Sequence, residues 1–164
     1  MANPRKAGEL FAQLERAKSN SLVEGIKSFF LEIEEEADEG WRRSFRLAWL
    51  IEKVRRTKNL PELKVLLAEG EKQGRITIFS SAKAEECKKD SKKRGLLIYV
   101  DDLTWGPTDF KDTGNNALVL ALRSKLGEIK RQKKDMVNQF IKEAFERADR
   151  KNSSSSTSEQ SAQE

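Results

Sequence analysis

Apolar residues recur every three or four positions along most of this chain, the spacing of one helical face. Ala7, Leu10, Phe11, Leu14 and Ala17 repeat in this way. The preceding Asn3-Pro4 supplies a side-chain acceptor for free N–H groups and a proline that loses nothing at the first helical position. A second helix is expected from Asn20-Ser21, with Leu22, Val23, Ile26, Phe29, Phe30, Ile33 and Ala37 on one face and Gly40 as its stop. The segment WRRSFRLAWLIEKVRRTK is apolar over most of its circumference, which marks a central third helix. Pro61 opens a short fourth helix through Leu63, Leu66 and Leu67, closed by Gly70 or Gly74.

The period changes at Arg75. RITIFS and LLIYV are rich in β-branched and aromatic residues and predict strands. The polar stretch AKAEECKKDSKKRG between them is long enough for a crossover helix ending at Gly95. A parallel βαβ unit over 75–101 is therefore favoured over a hairpin with a long basic loop. Leu103 to Asn116, with Trp105, Gly106, Pro107 and Gly114, reads as an irregular loop. From Asn116 to about Arg150 a helical pattern resumes with apolar residues near seven-residue spacing. Gly127 and the KRQKK run at 130–134 interrupt it, giving two helices or one bent helix. The Ser-rich tail 151–164 offers no apolar area against chain entropy and is expected to be disordered. The expected fold is α+β, predominantly helical, with a small sheet of two or more strands and a long C-terminal helical segment. It is read as one compact domain over 1–150, comprising a helical half at 4–74, a strand-containing part at 75–116 and C-terminal helices at 116–150.

Composition narrows the chemistry. The 164 residues include no His and one Cys, so a Ser-His-Asp or Cys-His arrangement and a Cys₂His₂ zinc site are excluded. Cys87 has no partner for an internal disulfide, which agrees with a reducing, intracellular setting in cytoplasm or nucleus. No apolar run approaches the length of a membrane span. No cofactor motif is visible: the glycine spacings of a P-loop, a dinucleotide fingerprint and a nucleophile elbow are all missing.

The net charge of +5 is mild, but it is distributed in blocks. Residues 40–58 carry seven basic groups and one acid. On a helical wheel Arg42, Arg46, Trp49, Lys53 and Arg56 form one stripe, with Trp41 and Arg43 near its start. Cations at this spacing track successive phosphates, and an indole among them stacks on a base. Secondary basic clusters lie at Lys88, Lys89, Lys92, Lys93 and Arg94, and at Lys130, Arg131, Lys133 and Lys134. Glu32, Glu34, Glu35, Glu36, Asp38 and Glu39 crowd a helix C-terminus, where the dipole disfavours anions, and Arg42, Arg43 and Arg46 are the expected compensation.

Tyr99-Val100-Asp101-Asp102 resembles the Tyr-X-Asp-Asp motif of retroviral reverse transcriptases, in which the paired aspartates hold catalytic metal ions. The likeness covers four residues, and a turn or cap role for Asp101 and Asp102 is the favoured account. The leading expectation is a non-enzymatic nucleic-acid-binding protein, RNA before DNA, of the kind a virus uses to sequester RNA from host defence. The alternative is a protein–protein adaptor or oligomer, with Leu122, Leu126, Ile129, Met136 and Phe140 pairing chains as a homodimer. A metal-dependent enzyme using Asp101 and Asp102 comes third.

Overall fold

A computed structural model describes residues 3–152, with the helical backbone of its last element assigned on to Gln163. The Ser-rich tail expected at 151–164 lies, from residue 153 onward, outside the described residues. The elements are α1 (Pro4–Arg16), α2 (Ser21–Glu36), α3 (Glu39–Arg56), α4 (Leu60–Lys72), β1 (Ile76–Phe79), α5 (Ser81–Lys88), α6 (Ser91–Arg94), β2 (Ile98–Val100), β3 (Leu103–Pro107) and α7 (Thr113–Gln163). This is an α+β fold, mostly helical, with a small sheet and a long C-terminal helix. The chain forms two units, one ending at Leu126 and a second beginning at Gly127 that consists of the distal part of α7.

Short polar side chains start the helices by accepting from N–H groups that have no helical partner. Asn3 Oδ1 accepts from Arg5 and Lys6, Asn20 Oδ1 from Val23, and Asn59 Oδ1 from Glu62. Gly40 does not end α2 as expected. The chain leaves the helix at Ala37, Asp38 Oδ1 accepts from Trp41 N at 2.8 Å, and Gly40 falls in the first turn of α3. Here a good N-cap outcompetes a glycine stop. The helix α3 packs on α1 at Gly8, where an added Cβ would lie 2.4 Å from Phe45 O and 2.8 Å from Trp49 N, so the two backbones meet with no side chain between them. Around this crossing Ala7, Phe11, Ala37, Trp41 and Phe45 form a buried cluster.

The sheet has the order β1-β3-β2, with both neighbours antiparallel to β3. The strands β1 and β2 run in the same direction, and α5 and α6 occupy the connection between them. They do not pair, because β3 lies between them. The parallel pair expected over 75–101 is thus split by a strand that the sequence presents as loop. Its residues Trp105, Gly106 and Pro107 are buried. Asp101 and Asp102 form the β2–β3 turn with φ of 52° and 62°, the left-handed conformation that suits a tight hairpin and that Asp tolerates better than most residues. One sheet face is closed by α5, where Phe79, Ala84, Cys87 and Leu97 are buried together with Phe110 against them. Elsewhere in the first unit Leu50, Val54, Leu63, Leu67, Ile76, Ile98, Leu118, Val119 and Leu122 are almost fully buried. Among the described residues no helix is long and apolar enough to cross a membrane.

Candidate nucleic-acid interface

The basic stripe of α3 is engaged within the chain. Arg42 Nε donates to Glu34 O at 2.7 Å and its Nη2 donates to Glu35 O, so the guanidinium caps the last carbonyls of α2. Arg46 pairs with Glu34, whose residue is 8% exposed. Trp49 Nε1 donates to Glu15, and its ring packs edge-on against Phe11 at 4.7 Å. Lys53 Nζ lies 4.3 Å from the Trp49 ring centroid. Burial pushes the Lys53 amine below its usual range, with Glu15 and Glu69 opposing the shift. Its side chain borders a cavity of about 260 Å³ that Ala12, Glu15, Thr57 and Val65 also line. Arg56 shares Glu52 with Arg55, at 2.9 and 3.5 Å. Arg43 is exposed and lies 4.0 Å from Asp112. Trp41, expected at a nucleic-acid surface, is 7% exposed and stacks on Phe45 with centroids 5.2 Å apart. The compensation expected for the acidic end of α2 is present for Arg42 and Arg46, while Arg43 turns to Asp112 instead.

The second cluster has a different setting. The helix α5 begins with Ser80 Oγ accepting from Lys83 N, and α6 with Asp90 Oδ1 accepting from Lys92 N. Both are short, so their lysines crowd into one connection. Lys88 pairs with Glu85 at 2.8 Å and lies 5.7 Å from the Tyr99 ring. The hydrogen bond from Lys88 depresses the Glu85 carboxyl, and that same carboxylate raises the Lys88 amine. Lys89, Lys92, Lys93 and Arg94 are exposed, with no carboxylate within ion-pair distance among the described residues. Arg94 donates to Lys88 O at 3.4 Å, and Lys93 lies 5.4 Å from the Phe110 ring.

Two residues join this face that the sequence did not single out for it. Arg123, on α7 within the first unit, donates through Nη1 to Gly95 O, just past the end of α6. Tyr99 is opposite Thr104 in the register, and Thr104 is opposite Phe79, so the tyrosine shares the sheet face that α5 covers. At the edge strand its ring remains 45% exposed. Twenty-eight residues separate Arg123 from Gly95, and no local pattern brings them together. The exposed ring follows from strand alternation once the order β1-β3-β2 is known.

Asp101 pairs with Lys64 on α4. Among the described residues no group of three or more His, Cys, Asp or Glu side chains converges as a metal site would require. The third basic cluster, Lys130, Arg131, Lys133 and Lys134, is exposed on the second unit. No family model, curated protein or solved structure matches this chain.

Proposed function

We propose that the protein binds RNA through the α5–α6 connection, with Lys89, Lys92, Lys93, Arg94 and Arg123 contacting phosphates and Tyr99 stacking on an unpaired base. One observation carries this reading: the exposed cations of this connection, Lys88 excepted, have no acidic partner among the described residues, whereas Arg46, Arg55 and Arg56 of α3 each pair with a glutamate. A cation already held by a carboxylate has little field left for a phosphate. One without such a partner gains from releasing the counterions of a polyanion. The partly exposed tyrosine beside these lysines supports a single strand, whose bases are free to stack on an aromatic ring.

The test is a titration of the chain with a single-stranded RNA oligonucleotide at several salt concentrations. Each phosphate contact on a single strand contributes a slope of about −0.7 in log K against log[salt]. Lys92→Ala with Arg94→Ala therefore flattens the slope by about 1.4. Tyr99→Ala costs about 1–3 kcal/mol with the slope unchanged. Arg55→Ala on α3 leaves both quantities as they were. A double variant with the parent's slope, or equal binding to anionic vesicles that carry no bases, counts against this reading.

A further inference from the structure

Among the described residues two helical faces lack a partner, and their chemistries are complementary. In α2 none of the seven large apolar residues is buried. Leu22 is 72% and Phe29 59% exposed, while Val23, Ile26, Phe30 and Ile33 are half-buried. Toward its C-terminal end the same exposed stripe turns acidic. Leu22, Gly25, Phe29, Glu32 and Glu36 follow one another at spacings of three and four, and Glu32, Glu35 and Glu36 have no basic partner among the described residues. An added Cβ at Gly25 would meet nothing within 4 Å, so this side of the helix is open.

The second unit carries the inverse sequence of properties. Lys130, Arg131, Lys133 and Lys134 come first, all exposed and, among the described residues, without an acidic partner. Met136, Val137, Phe140, Ile141 and Phe145 follow, between 47% and 68% exposed. Of the five residues expected to pair chains, Leu122 and Leu126 are not available. They are 0% and 7% exposed within the first unit, and Ile129 is half-buried. The open face is the more distal one, and Val137, Ile141 and Phe145 belong to it.

We infer that the apolar-acidic face of α2 in one copy receives the basic-apolar distal part of α7 from a second copy, antiparallel, and that the reciprocal contact closes a two-fold dimer. Antiparallel alignment sets Leu22 against Ala144, Ile26 against Phe140, Phe29 against Val137, Glu32 against Lys134 and Glu36 against Lys130. Apolar faces meet and every facing charge is opposite. Antiparallel self-pairing of the distal segment can also set Lys134 against Glu143, Arg131 against Glu146 and Val137 against Phe140, but it leaves the apolar-acidic face of α2 uncovered, whereas the reciprocal contact covers both faces. The basic cluster also comes to the C-terminal end of α2, where the dipole favours cations. These side chains leave on the order of 900 Å² of apolar surface open per contact. Two reciprocal contacts therefore offer at most roughly 1,800 Å², a ceiling within the size class of a specific, stable interface. A closed two-fold pair satisfies both faces of both chains with one kind of contact.

Two full-length variants test this. One carries Glu32→Lys and Glu36→Lys, the other Lys130→Glu and Lys134→Glu. In sedimentation equilibrium at micromolar concentration the parent is dimeric, and each variant alone dissociates at least tenfold more readily. An equimolar mixture restores the parent's dimer as a heterodimer, because both of its contacts then join opposite charges. Variants that each dimerise as tightly as the parent, or a mixture that stays monomeric, overturn the proposal. Should a charge variant lose its cooperative melt, Phe29→Ser and Phe140→Ser carry the same measurement. Each shifts the parent's dimer toward monomer, and a dimer unaffected by both refutes the interface.

Discussion

At Asp112 a single carboxylate serves several elements. Its Oδ1 accepts from Gly114 N at 2.8 Å and Asn115 N at 3.1 Å, starting α7, and lies 3.6 Å from Arg75 Nη1. Arg75 is 7% exposed and also donates to Asn115 Oδ1 and Arg43 O. Burial, with Arg43 nearby, lowers the Arg75 guanidinium, and Asp112 opposes that shift. The N–H of Asn115 holds the Asp112 carboxyl below its usual range, aided by Gly114, Arg75 and Arg43 against desolvation. A carboxyl depressed in the folded state contributes stability that is complete above its unfolded value, about 3.9, and lost as pH falls through the lower folded value. Asp112→Asn keeps a capping oxygen and removes the charge. It is expected to cost about 1 kcal/mol from pH 5 to pH 8, the side chain being about a third exposed. The gap between parent and variant closes below about pH 4, measured by denaturant unfolding across that range. A gap independent of pH would show that the ionised form makes no contribution.

The approach of α1 to α3 depends on Gly8. Gly8→Ala favours the isolated helix by propensity, yet its Cβ meets Phe45 O, Trp49 N and Ala48 Cβ inside 3 Å. Overpacking outweighs propensity, and the variant is expected to lose about 1–3 kcal/mol, read as a lower thermal midpoint. An unchanged midpoint would mean that α1 can move away from α3 at little cost. The limits of sequence reading follow the same division between local and tertiary effects. Asn3 and Asn20 announced their helices because an N-cap is satisfied within three residues. The stripe on α3 was legible as a spacing, and so was its compensation of the acidic end of α2 by Arg42 and Arg46, but Glu15, the partner of Trp49, reaches it only through the fold. The strand β3 was hidden for the same reason. Leu-Thr-Trp-Gly-Pro holds a glycine and a proline, poor strand formers, and Gly106 is required because a Cβ there would come 2.4 Å from the Phe79 ring. The lysines of α5 and α6 were visible as a cluster, whereas the lack of acidic partners at Lys89, Lys92 and Lys93 among the described residues is a property of the folded surface.

For the whole molecule, the proposed RNA binding and the proposed reciprocal dimer together would make a bivalent particle. A strand long enough to reach both basic connections binds the second one intramolecularly, and such linkage raises apparent affinity by about 10²–10⁴. Phe140→Ser is therefore expected to leave binding of a short oligonucleotide unchanged and to weaken binding of a long RNA about a hundredfold, by direct titration of both ligands. Equal effects on the two lengths would show that the faces do not act together. The sheet order has a consequence for synthesis. The central strand is the last of the three to be made, so neither β1 nor β2 has a neighbour until Pro107 has been translated. Until then a nascent chain can form α1 to α4, but the backbone edges of β1 and β2 stay unpaired while it waits for the strand that joins them.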